Sequence, residues 1–124
     1  MGLFDGLMGN ASKVDATKLA DEFSPILAEG EQIEHAYKLI RDLFVFTNKR
    51  LILVDKQGIT GKKIEYKSIL YNKIVSFSVE TAGHFDYDAE LVIWVSGLPE
   101  PIRKQFSKQV SIYEVQAVLA TYVS

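Results

Sequence analysis

The chain is expected to fold as a mainly β domain: a seven-stranded antiparallel barrel, preceded by a helical segment and capped by a C-terminal helix. Three observations predict this. Between Ile33 and Lys108, apolar residues recur at every second position or in short dense runs, the patterns of half-buried and fully buried strands. Short polar turns separate these runs with no helix between them, so neighbouring strands pair antiparallel, and closing the sheet would remove its edges. Stretches of helical period behind Ser12 and Ser111 flank the strands.

The elements follow in order. Leu3, Phe4, Leu7 and Met8 form a small apolar face at helical spacing, weakened by Gly2, Gly6 and Gly9. These four residues are the candidate oligomer contact. Met1 to Asn10 lacks the lysines and arginines of an interfacial membrane helix, and position 6 is not the Ser or Thr of a myristoylation signal. Ser12 and Asp15 have capping-box spacing, and Ala16, Leu19, Ala20 and Phe23 make one helical stripe. Pro25 stops that helix, and Glu29-Gly30-Glu31 breaks the chain before the sheet.

Ile33, His35, Tyr37 and Leu39 alternate with polar neighbours or alanine as a strand does. Leu43 to Phe46 and Leu51 to Val54 are dense runs around a polar turn, a hairpin pattern. Alternation around Ile64 and Tyr66, then around Val75, Phe77 and Val79, gives two more strands. Leu91 to Val95 and the alternation from Ile102 to Lys108 complete the set, with Gly97, Pro99 and Pro101 marking the turn between them. Ser111 and Glu114 form the second capping box, and Ile112, Val115, Val118, Leu119 and Tyr122 share one face of the last helix. The predicted division is an N-terminal helical segment over 1–28 and the barrel with its C-terminal helix over 29–124.

Composition narrows the function classes. At 124 residues the chain is one domain and can bury a core without disulfide or metal. Its net charge of -2 disfavours nucleic acid as a partner. No cysteine is present, which removes disulfides, thiolate catalysis and cysteine-based zinc sites. No stretch approaches the roughly 18 apolar residues of a membrane span. No basic n-region precedes a signal-type apolar run. A cytoplasmic location is expected.

Several short motifs together resemble the bacterial pleckstrin-homology-like domain family, formerly a domain of unknown function. They are Gly30-Glu31, Arg41-Asp42, Thr47-Asn48-Lys49-Arg50, Asp55-Lys56-Gln57-Gly58, Thr60-Gly61-Lys62-Lys63, Glu80-Thr81-Ala82-Gly83 and Phe85-Asp86-Tyr87-Asp88. The resemblance covers the chain from about Gly30 to its end. It implies a seven-stranded pleckstrin-homology-like barrel with a C-terminal helix, and homo-oligomers, with rings as one form. It implies no activity, substrate or catalytic residues.

The residues themselves yield no catalytic constellation. Glu80, His84, Asp86 and Asp88 could suggest a metal site or an acid–base pair, but their spacing matches no zinc or calcium motif, and a polar turn explains them. His35 shares a strand face with Ile33 and Tyr37 and reads as a core or barrel-end histidine. Gly58-Ile59-Thr60-Gly61-Lys62-Lys63 has two residues between its glycines where a P-loop needs four, and no Ser or Thr after the lysine. Aromatic residues such as Phe44, Phe46, Tyr66, Phe77 and Trp94 read as core. Lys49, Arg50, Lys62 and Lys63 are the candidate anion contacts within a basic middle of the chain.

One further feature concerns partners. Leu43 to Phe46, Leu51 to Val54 and Leu91 to Val95 are apolar on both faces, whereas a free barrel wall shows one polar face to water. The outer wall is expected to be covered by the terminal helices or by another subunit. The sequence therefore suggests a non-enzymatic interaction module that self-assembles into a homo-oligomer, with a ring as one form, as a protein-binding scaffold without a cofactor. The alternative is a peripheral membrane or anionic lipid-headgroup binder.

Overall fold

A computed structural model of the chain describes residues 16–39, 42–57, 63–81, 88–107 and 112–123. Helix α1 (Ala16–Phe23) is followed by β1 (Ile33–Lys38), β2 (Asp42–Thr47), β3 (Arg50–Gln57) and β4 (Lys63–Leu70). A 3₁₀ turn, Tyr71–Lys73, leads to β5 (Ile74–Thr81), β6 (Asp88–Val95), β7 (Ile102–Ser107) and helix α2 (Ile112–Val123). The expected Ser12–Asp15 cap and the contact residues Leu3, Phe4, Leu7 and Met8 lie outside the described residues, as does Ser111.

The seven strands form two antiparallel sheets, β1-β2-β3-β4 and β5-β6-β7. This corrects the expectation of a closed barrel, because among the described residues no strand of one sheet pairs through its backbone with a strand of the other. The 3₁₀ turn carries the chain from the edge of the first sheet to the edge of the second. Side chains complete the enclosure instead. Phe44, Phe46, Leu51 and Leu53 of the first sheet share one core with Leu91, Ile93 and Phe106 of the second and with Val115 and Leu119 of α2.

The two dense runs of the first sheet are covered on both sides within the chain, whereas on β6 Leu91 and Ile93 enter the core and Trp94 stays 40% exposed. Phe44 and Phe46 enter the core between the sheets, while Leu43 and Val45 point to the opposite face. There Leu19 and Phe23 of α1 pack on Val45, Ile52 and Val54. The apolar outer wall of the first sheet therefore has an intramolecular cover, and it no longer requires a second subunit. On β4 the alternation of Ile64 and Tyr66 is present, but their face is the outer one, and they remain 40% and 41% exposed. The inward apolar residue of that strand is Ile69. Helix α2 is as expected: Ile112, Val115 and Leu119 are buried, with Val118 and Tyr122 packed beside them.

Candidate functional site

The most organised polar cluster lies where the neck before β1 meets the β2–β3 hairpin. Thr47 and Arg50 bracket a two-residue turn, and the Thr47 hydroxyl accepts the backbone N–H groups of Lys49 and Arg50 at 3.0 and 2.9 Å. The same hydroxyl lies 2.6 Å from Glu31 Oε2, to which it donates. Arg50 Nε donates to that oxygen at 2.8 Å, and Nη2 donates to Glu31 Oε1 at 3.0 Å, a bidentate pair. The Ala28 N–H also donates to Oε1, at 2.9 Å. Burial by itself raises the Glu31 carboxyl, but Arg50, the Ala28 N–H and the Thr47 hydroxyl outweigh it and hold the pKa at about 2.

Asn48 locks the other side of the turn. Its Oδ1 accepts from Gln32 N at 2.7 Å, its Nδ2 donates to Gly30 O at 3.1 Å, and its own N–H donates to Gln32 O at 3.1 Å. Gly30 sits at φ +79°, which disfavours any residue with a Cβ. The Tyr71 phenol, at the turn between the sheets, lies 2.6 and 2.8 Å from the carbonyl oxygens of Thr47 and Arg50. Gly30-Glu31 and Thr47-Asn48-Lys49-Arg50 thus form one bonded unit, although they are far apart in the sequence.

The chain matches the family model described as the bacterial PH domain over residues 2–123. It belongs to the bacterial pleckstrin-homology domain family. It is 60% identical over 121 residues to protein YjqA of Bacillus subtilis strain 168, covering 97% of each chain. Among solved structures it resembles a pleckstrin-homology domain from Shewanella amazonensis SB2B, with TM-score 0.83, 56% identity and 99% of each chain covered. It also resembles a DUF1696-family protein with a pleckstrin-homology domain from Shewanella loihica PV-4, with TM-score 0.81 and 50% identity. That similarity covers 94% of this chain and 99% of the other.

In this member of the family, the described residues among the expected anion contacts are Lys49, Arg50 and Lys63. The Arg50 guanidinium is occupied by Glu31, by the Ile26 carbonyl at 2.5 Å and by Ser68 Oγ at 2.6 Å. Lys49 is exposed at the hairpin tip, and Lys63 is exposed at the start of β4. Gln57 pairs with Lys63 and Arg50 with Leu70, so Lys49 and Lys63 stand at opposite ends of β3, about 23 Å apart at the rise of a strand. Lys62 lies outside the described residues, with His84 and Asp86. Glu80 is exposed on β5, and Asp88 opens β6 opposite Ser107.

Two further polar clusters join separate elements. Tyr122 of α2 stacks on Tyr71 with centroids 4.8 Å apart and hydrogen-bonds Glu34, while Tyr37 donates to Glu114 Oε2 at 2.6 Å. Burial raises all three phenols above the ordinary range, helped for Tyr37 and Tyr122 by these carboxylate partners. His35 is half-buried with its ring 6.3 Å from that of Tyr122. Between the sheets, Lys104 Nζ of β7 reaches Asp42 Oδ2 at 2.8 Å. Asp42 is also the cross-strand partner of Asp55, whose carboxyl is raised by burial and then by Asp42. Among the described residues, no three His, Asp or Glu side chains gather as metal ligands, and no helix is long and apolar enough to cross a membrane.

Proposed function

We propose that the chain is a non-enzymatic pleckstrin-homology-like interaction module that assembles into a homo-oligomer, with a ring as the form to test, and serves as a protein-binding scaffold. The observation that carries this is where the polar chemistry goes. The motif residues Glu31, Thr47, Asn48 and Arg50 are bonded to one another and to the backbone, so they hold the fold instead of facing a substrate. The surface keeps large apolar side chains instead: Leu70 is 52% exposed and Val75 68%, with Trp94 also exposed.

The lipid-headgroup alternative is weaker, because Arg50 is occupied and Lys49 and Lys63 are far apart. Light scattering coupled to size-exclusion chromatography tests the assembly, on the full chain and on a chain lacking residues 1–10. A discrete multimer is expected, and its loss on shortening would place Leu3, Phe4, Leu7 and Met8 in the contact. A mass of 13.9 kDa at micromolar concentration would overturn self-assembly. Co-sedimentation with anionic vesicles at low salt would then bring the headgroup reading forward.

A further inference from the structure

The outer edge of β4 deepens the interaction-module reading without depending on self-assembly. β4 ends its sheet, and each of its eight residues pairs with β3 on one side only. On an antiparallel edge strand, alternate residues turn their N–H and C=O groups to the open side. Among the described residues, none pairs with that side. From Lys63 to Tyr66 the side chains are exposed on both faces of the strand.

The two faces differ in chemistry. Ile64, Tyr66, Ser68 and Leu70 share the outer face, where Tyr66 abuts Phe23 of α1 with ring centroids 5.7 Å apart. Helix α1 covers the neighbouring strands, but Ile64, Tyr66 and Leu70 stay 40–52% exposed. Lys63, Glu65 and Lys67 share the other face, with Ile69 beyond them in the core. An added strand would therefore meet apolar neighbours on one face and a basic–acidic–basic row on the other.

We infer that the open edge of β4 takes an extended segment of a partner protein by strand addition, and that this segment alternates apolar with acidic residues. The backbone groups supply the pairing, Ile64, Tyr66 and Leu70 supply the apolar face, and Lys63 and Lys67 select the acidic residues. A uniformly acidic face would meet Glu65, so a neutral residue belongs between the two acidic ones.

The test uses isotope-labelled full chain and a synthetic seven-residue peptide that begins and ends with valine and alternates valine with polar residues, glutamate at the two outer polar positions and threonine at the one between them, matching the spacing of Lys63, Glu65 and Lys67. Companion peptides replace glutamate by lysine, or carry N-methyl groups on every second amide in either phasing. The glutamate peptide should shift the β4 amide resonances. Only the phasing that blocks the amides facing β4 should abolish this. The Lys63→Glu/Lys67→Glu variant should weaken the glutamate peptide at least tenfold and reverse the preference toward lysine. Unmoved β4 resonances at millimolar glutamate peptide would overturn the inference, as would equal binding of both charge types by the unaltered chain or insensitivity to both N-methyl phasings. If β4 amides exchange slowly in a multimer and quickly on dilution to monomer, a second copy holds the edge, which also overturns it. A monomeric mass with a positive peptide result would refute self-assembly alone.

Discussion

Replacing Glu31 by Gln should destabilise the fold by about 3 kcal/mol at pH 7, and the loss should vanish in acid. The fall of the Glu31 pKa from an ordinary 4.5 to about 2 corresponds to about 3 kcal/mol of preference for the charged carboxylate in the folded state. Arg50 remains in the variant without its ion partner. Its side chain is 21% exposed and can recruit water, which places the cost at the low end of the 3–5 kcal/mol typical of a broken buried pair. Because the folded pKa lies below the unfolded one, the contribution is complete above about pH 4.5 and lost as pH falls toward 2. The amide mimics the protonated acid, so the two stability curves should converge over that window. Urea denaturation of both proteins at several pH values measures this, and a thermal midpoint lowered by about 10 °C at pH 7 is the matching readout. A loss below about 1 kcal/mol at pH 7, or parallel curves down to pH 2, would refute the reasoning.

Three other outcomes are expected. Phe23→Ala, which strips α1 from the outer face of the first sheet, should cost about 3–5 kcal/mol in urea denaturation. Tyr37, Tyr71 and Tyr122 should stay protonated past pH 10, so a spectrophotometric titration should leave these three phenols silent until the fold opens. Their folded pKa values lie above the unfolded one, so stability should decline as pH rises beyond 10. Lys104→Met should cost more at pH 7 than at pH 4, because it removes the cation that offsets the Asp42–Asp55 pair, and Asp55 is favoured protonated in the fold.

Much of this architecture was legible in the sequence, because periodicity reports which face of an element is buried. The stripe Ile112, Val115 and Leu119 became the buried face of α2, and the hairpin around Thr47 to Arg50 formed as its pattern implied. Periodicity reports burial but does not name the cover. The two-faced run Leu43 to Phe46 was equally consistent with a helix or a neighbouring subunit above it, and only the packing of Leu19 and Phe23 decides for α1. Nor does it say which apolar face of an alternating strand turns inward, hence the outward Ile64 and Tyr66. Lys104 did leave a signal. It occupies a core-facing phase between Ile102 and Phe106, and a lysine there requires an anion, which Asp42 provides from the other sheet.

The polar motifs had a different limit. Glu31 and Arg50 are separated by 19 positions, and nothing local marks them as partners. Read singly, Lys49-Arg50 looks like a cationic patch. Bonded, Arg50 is a cross-brace between the neck, the hairpin and β4, with Tyr71 fastening the same hairpin to the turn between the sheets. This explains how a chain can match its family over nearly its whole length and still disclose no chemistry: the residues of the Glu31–Arg50 cluster build the scaffold. On the proposed interaction-module reading, specificity comes from surfaces that the brace leaves open. In the first sheet, α1 covers the outer face of the inner strands, and among the described residues β4 keeps an unpaired edge beside an exposed apolar row, the surface on which the proposed strand addition rests.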